Sequence, residues 1–191
     1  MSVILLENHQ RILRQVKQGC FRFNVIVAIL ALTLALILSA IPSNETPIDP
    51  QSQILQTLRN KPLTIGQALD VGQVILEQGR ASGVPISLIL AVIDTESEFK
   101  PWATSRTNAR GLMQLSPEVW RIYMGATDLR DHRNAYDPTL NARIGIQYLG
   151  DLYQAYGDWN RTLRHYYCGN PNPSKQADRY VKVVLDRAKN I

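Results

Sequence analysis

The sequence has 191 residues, of which 45% are hydrophobic and 19% charged. That length holds one domain and an appendage, and that composition excludes a disordered chain. The formal charge of +5 is concentrated early: Arg11, Arg14, Lys17 and Arg22 against Glu7 give +3 before residue 25, leaving only +2 for the rest. A dedicated nucleic-acid binder should carry a strong basic face, so that class is excluded.

Residues 1–24 form the basic leading segment. Val25 to Ile41 is apolar except for Thr33 and Ser39. At ~1.5 Å per residue it is roughly 25 Å long, the short end of a membrane span. Phe21 and Phe23 can extend it, with Arg22 snorkelling toward the headgroups. The basic flank keeps residues 1–24 cytoplasmic and exports the chain beyond the apolar run. A cleaved signal peptide is the competing reading. It expects a shorter apolar core and a small-x-small cleavage site, whereas Leu38-Ser39-Ala40 is a poor site. The expectation is an uncleaved transmembrane anchor at 25–41. Residues 42–63 carry Pro42, Pro47, Pro50 and Pro62 with no sustained apolar period, and read as a linker. Ile54, Leu55 and Leu58 could make one short helical turn in it. Cys20 and Cys168 fall on opposite sides of the apolar run, so they form no internal disulfide and no metal cluster. Cys168 reads as a buried, inert thiol.

The domain is expected over 64–191. Thr64-Ile-Gly-Gln67 fits a capping box, and the helix it opens runs to Gly83. Val84-Pro85 turns into Ile86-Ser-Leu-Ile-Leu-Ala-Val-Ile-Asp-Thr-Glu96, so apolar that the helix is buried nearly all round. Pro101 and the residues before it stop this helix just after Glu96. Ser116-Pro117, Asp137-Pro138, Asp158 and Ser174 each read as a helix start, and Gly157 closes the long helix that begins at Pro138. Residues 125–136 read as a polar loop. Alternating strand patterns of useful length are missing, so the fold class is all-α or nearly so, preceded by one transmembrane helix.

Glu96 is the candidate for chemistry. An acid at the C-terminal end of a buried helix meets the negative end of the dipole and loses water, and both raise its pKa. A general acid near neutral pH needs that. A solvated C-terminal glutamate is the plainer reading, and on this stretch alone both stand. Asp94 and Glu98 are each two residues away, so they do not face the same side, and both read as solvated.

Glu96-Ser-Glu-Phe-Lys-Pro-Trp-Ala-Thr-Ser105 with Ala109-Arg-Gly-Leu-Met-Gln-Leu-Ser-Pro117 resembles the catalytic signature of the soluble-lytic-transglycosylase (SLT) domain. Tyr136-Asp-Pro138 with Asn141-Ala-Arg-Ile-Gly-Ile-Gln-Tyr-Leu149 resembles its middle motif. Arg164-His-Tyr-Tyr-Cys-Gly169 resembles a variant of its Ala-Tyr-Asn-Ala-Gly motif. The resemblance spans roughly Leu63 to Ala188. It implies a lysozyme-like fold related to goose-type lysozyme, cleavage of the MurNAc–GlcNAc bond of peptidoglycan, and no metal or organic cofactor. It implies that Glu96 is both acid and base, yielding a 1,6-anhydro product. It assigns substrate contact to Ser105, the sugar groove to Gln114 and Gly111, and a hydrogen bond near Glu96 to Tyr166. Without it, Ser105 is a turn residue, Gln114 a helix-capping amide and Tyr166 a core aromatic. Tyr148, Tyr156 and Tyr180 lie on apolar stripes and read as core. Tyr167 stands where the family usually has asparagine, Cys168 where it has alanine, and Ser116 where some members have methionine. Those departures bear on substrate preference. The partners implied are glycan strands and the membrane, with wall turnover, a secretion or conjugation machine, and a phage-type lysin as compatible settings. The competing functions are a hydrolytic muramidase on the same fold and a wall-binding scaffold.

Overall fold

A computed structural model of the chain describes residues 49–124 and 134–191. The anchor expected at 25–41 and most of the polar loop lie outside those residues. Among the described residues no helix is long and apolar enough to cross a membrane.

Seven α-helices make up this part: α1 Pro50–Leu58, α2 Ile65–Ser82, α3 Ile86–Ser97, α4 Pro117–Met124, α5 Pro138–Tyr156, α6 Trp159–Cys168 and α7 Lys175–Ala188. A short 3-10 turn at Asn134–Tyr136 precedes α5. The only extended pairings among the described residues are isolated bridges, Thr104 with Arg110 and Arg110 with Leu115. The all-helical expectation holds there.

The helix starts follow local chemistry. Thr64 and Gln67 form the full capping box of α2. Asp137, Asp158 and Ser174 each accept the backbone N–H three residues on, capping α5, α6 and α7. These side chains satisfy amides that have no partner inside the helix.

α3 is the centre of the packing. Every residue from Leu88 to Ile93 is buried. It packs against α1, α2 and α7, while α2 also packs on α5, and α6 bridges α5 and α7. Close approach of α5 to the Gly111–Leu115 loop needs Gly145, where a Cβ would stand 2.4 Å from the Met113 sulfur.

The linker reading of 42–63 is corrected over Pro50–Leu58. That stretch is helical, with Ile54 and Leu58 1% and 2% exposed. A Cβ on Gly72 would stand 3.2 Å from Ile54 Cγ2, so the absence of a side chain there lets α1 settle on α2. The short turn expected at Ile54, Leu55 and Leu58 is a helix of 9 residues, and it joins the common core through two side chains and a glycine in another element.

Candidate active site

Glu96 occupies the last turn of α3 and is half-buried. The turn beyond it is unusual: Glu98 and Phe99 have φ of 53° and 63°. Consecutive left-handed residues that are not glycine are costly and persist where surrounding structure holds them. Here Phe99 is fully buried and Lys61 Nζ lies 4.5 Å from its ring centroid.

The Tyr180 hydroxyl, on α7, donates a 2.6 Å hydrogen bond to Glu96 Oε1. Burial pushes the Glu96 pKa up to about 7, and the Tyr180 bond opposes that rise. Some surface of the residue stays open to solvent, yet loss of water around the carboxyl is the larger effect. The Tyr166 and Tyr180 pKa values are raised well above the ordinary phenol value, first by burial and then by the charge of Glu96. Both hydroxyls therefore stay protonated near neutral pH and can donate.

Tyr166 makes its hydrogen bond near Glu96 and not to the carboxyl itself. Its hydroxyl donates to the Met113 carbonyl at 2.8 Å. The Gly111–Leu115 loop is in fact tied from three helices. Ser97 Oγ, on α3, donates to Leu112 O at 2.7 Å. Asn141 Oδ1, on α5, accepts the Met113 N–H at 2.8 Å, and its Nδ2 donates to Arg110 O and Ala135 O. Asn141 is completely buried, so each of these bonds replaces lost water. Gly111 has φ 79°, and a Cβ on it would stand 2.1 Å from Asn141 Nδ2. No other residue fits there.

Gln114 Nε2 donates to Ala103 O and Gly111 O at 3.0 Å each, so its amide braces two loop segments rather than capping a helix. Ser105 Oγ accepts the Ala109 N–H at 3.0 Å and pairs with Thr107 Oγ1. It shapes a turn and stays half-buried.

The other acids are engaged elsewhere. Asp94 pairs with Lys61 at 3.1 Å and Arg187 at 2.7 Å, which corrects the solvated reading. Glu98 is exposed and pairs with Lys100. Among the described residues no three His, Cys, Asp or Glu side chains are grouped to hold a metal ion. Cys168, expected to be buried, is exposed at the end of α6. Its thiol donates to Arg164 O, four residues back in the same helix.

The candidate-site residues missed from sequence are Tyr180, Asn141 and Ser97. Tyr180 shares a stripe with Ala177, Val181 and Val184, which invites a core reading. The available signal was the hydroxyl itself, since a buried tyrosine O–H needs a partner.

Residues 73–184 match the transglycosylase SLT domain. The chain belongs to this family. A relative from Shigella sonnei, membrane-bound lytic murein transglycosylase C, is 37% identical over 99 residues, covering 48% of this chain and 27% of that relative. An inactive Glu-to-Gln mutant of the lytic transglycosylase Slt from Pseudomonas aeruginosa has a similar structure, with TM-score 0.52 and 22% identity over 84% of this chain and 28% of that one. The 70 kDa soluble lytic transglycosylase from Escherichia coli gives 0.53 and 21% over 69% and 24%. The 70-kDa soluble lytic transglycosylase in complex with bulgecin A gives 0.53 and 22% over 66% and 24%. The likeness to these structures establishes the SLT fold. The chain spans under a third of the length of each of these proteins.

Proposed function

We propose that the chain is a peptidoglycan lytic transglycosylase in which Glu96 is the single general acid and base. The observation that carries this is a half-buried carboxyl with pKa about 7, held by a tyrosine donor inside an SLT domain. At that pKa both protonation forms are populated near neutral pH, as alternating acid and base roles require. Glu96 gives its proton to the leaving glycosidic oxygen. The resulting carboxylate takes the proton of the C6 hydroxyl on the same MurNAc, whose oxygen closes on C1 to give the 1,6-anhydro ring. Ordinary glycosidases use two carboxylates. Asp94 and Glu98 are held in ion pairs of their own, which supports a one-acid scheme. An inactive Glu-to-Gln mutant among the similar structures also fits it.

Ser105, Gln114 and Tyr166 are assigned to the substrate side, Ser105 and Gln114 through the loop segments they shape and Tyr166 through Met113. The apolar run at 25–41 anchors the chain in the cytoplasmic membrane, with 64–191 exported to the wall side as the catalytic domain. The Shigella relative is named as membrane-bound, which supports that placement. Wall turnover or local opening for a secretion or conjugation machine are the settings that suit such a tether.

Mass spectrometry of muropeptides released from sacculi by the full chain tests the reading. Products ending in an anhydro sugar, lighter by one water than a reducing end, are expected. Reducing ends alone would make the chain a hydrolytic muramidase, and no release would leave a wall-binding scaffold.

A further inference from the structure

The turn that ends α3 is held by residues outside its own helix. Glu98 and Phe99 have positive φ, 53° and 63°, and neither is glycine. Such residues disfavour the left-handed conformation and leave it unless neighbouring structure holds them there. The Glu98 N–H donates to Asp94 O at 3.2 Å and the Lys100 N–H to Ser97 O at 3.0 Å, which closes the backbone around Glu96. If these residues relaxed, the last turn of α3 would fray with them, and that turn carries the acid.

Lys61 meets this turn from outside. Its Nζ donates to Asp94 Oδ1 at 3.1 Å and stands 4.5 Å from the ring centroid of the fully buried Phe99. A cation at that distance is attracted to a ring face, more strongly where water is reduced, and the Lys61 side chain is 29% exposed. One ammonium therefore grips Asp94 and Phe99, which flank Glu96 in the chain. The place of Lys61 is set by α1: its N–H donates to Leu58 O at 3.1 Å, and Leu58 is buried in the core. α1 is tied a second time, where Gln53 Nε2 donates to Ile191 O at 3.0 Å.

α7 completes the grip. Arg187 Nη1 donates to Asp94 Oδ2 at 2.7 Å. Tyr180, about two turns earlier on the same face of α7, holds Glu96 itself. Lys61 and Arg187 both lie outside residues 73–184, the span that matches the SLT domain.

We infer that Lys61 is a positioning residue for Glu96. By clamping Asp94 and Phe99 it fixes the helix end on which the carboxyl meets Tyr180. The inference deepens the function argued above and rests on it. It gives α1 a part in catalysis, because α1 places Lys61. Small displacements are enough, since a misplacement of about 1 Å can cost about 10²-fold in rate. In Asp94→Asn the ion pairs are lost, but an amide oxygen remains to hold Lys61 over the ring, so most activity is kept.

The test measures kcat and KM of the full chain on glycan strands, well below the melting temperature. Lys61→Met keeps the apolar stem and removes the cation. Its kcat should fall about tenfold with KM within about twofold of the parent's, because the substrate contacts are untouched. Lys61→Arg brings a guanidinium that can meet both a carboxylate and a ring face, and should recover most of kcat. A parental kcat in Lys61→Met, even with a lower melting temperature, makes Lys61 structural only and overturns the inference. An equal fall in Lys61→Arg overturns it as well. A second measurement is amide exchange. In Lys61→Met the Glu98 amide should exchange faster than in the parent while the amides of α5 keep their rates. Unchanged exchange at Glu98 overturns the clamp. If the parent cleaves no strands, the enzymatic reading falls on its own, and exchange still decides whether Lys61 holds the turn.

Discussion

Tyr180 and Glu96 lie 84 residues apart in the chain and share a 2.6 Å hydrogen bond. The bond joins the last helix of the domain to the end of its most buried one. It also sets a balance at the carboxyl: desolvation drives the pKa up, and the tyrosine donor holds it to about 7. The C-terminal helix is therefore part of the candidate active site.

Tyr180→Phe removes the donor and keeps the ring. The carboxylate loses its stabilising bond, so the Glu96 pKa moves further upward and the pH–rate profile shifts to higher pH. A hydrogen bond to a charged group is worth about 1.5–3 kcal/mol, so turnover at pH 7 should fall at least about tenfold. The pH dependence of kcat/KM decides. An unmoved profile would show that the bond is structural only.

Tyr166→Phe should behave differently. The lost bond goes to a neutral carbonyl, Met113 O, and leaves that buried acceptor without its tyrosine. The cost is about 1–3 kcal/mol of stability. Activity should drop through a looser Gly111–Leu115 loop, with the pH profile in place. A shift matching that of Tyr180→Phe would make Tyr166 a second direct partner of Glu96.

The contrast between these tyrosines marks how far sequence carries. Helix starts were legible because a cap is a contact over three residues, as at Thr64 with Gln67 or Asp137 with Leu140. Glu96 was legible because a carboxyl at the end of Leu88–Ile93 has few fates. Which hydroxyl reaches it depends on how α7 seats against α3, and no local pattern encodes that. The same limit explains α1, whose burial rests on Gly72 in another helix. Cys168 was misread because residue type favours burial, while the outward face of the last α6 turn decides otherwise.

Asn141 offers a test of the loop's anchorage. Its amide makes three hydrogen bonds at full burial, to Met113 N, Arg110 O and Ala135 O. Asn141→Ala takes the side-chain partner from Met113 N and Ala135 O, leaves Arg110 O with the Leu115 N–H, and opens a cavity, and should cost roughly 3 kcal/mol or more. Amide exchange at Met113 should accelerate more than exchange in α2. Uniform acceleration would mean that Asn141 supports the whole domain and not this loop in particular.

Asp94 and Glu98 separate structure from chemistry. Asp94 is 28% exposed and pairs with both Lys61 and Arg187. Asp94→Asn should lower stability by about 1–2 kcal/mol, since two partly buried cations lose their partner, and should keep most activity. Glu98→Gln, at an exposed pair, should leave both stability and activity close to parental. If Glu98→Gln is the inactive variant, the acid has been assigned to the wrong residue of the right motif.

Glu96→Gln should lose activity and gain stability at high pH. The carboxyl titrates near pH 7 in the folded chain against 4.5 as its ordinary value. The folded state therefore binds more protons than the unfolded state between those values, and parent stability falls as pH rises through that window. Below about 4.5 both states hold the proton and no penalty remains. Above about 7 both have lost it, and the charged group costs the fold roughly 3 kcal/mol at most, at 1.36 kcal/mol per pH unit. Glutamine cannot titrate and keeps an amide oxygen to accept from Tyr180. The variant should match the parent near pH 4 and melt several degrees higher at pH 8. Removing both the acid and the base role should slow glycan cleavage by at least about 10²–10⁴-fold. Melting curves from pH 4 to 8 and muropeptide release are the two measurements. Parallel melting profiles would place the pH 7 titration on another group. Parental release of anhydro-muropeptides would end the single-carboxylate mechanism.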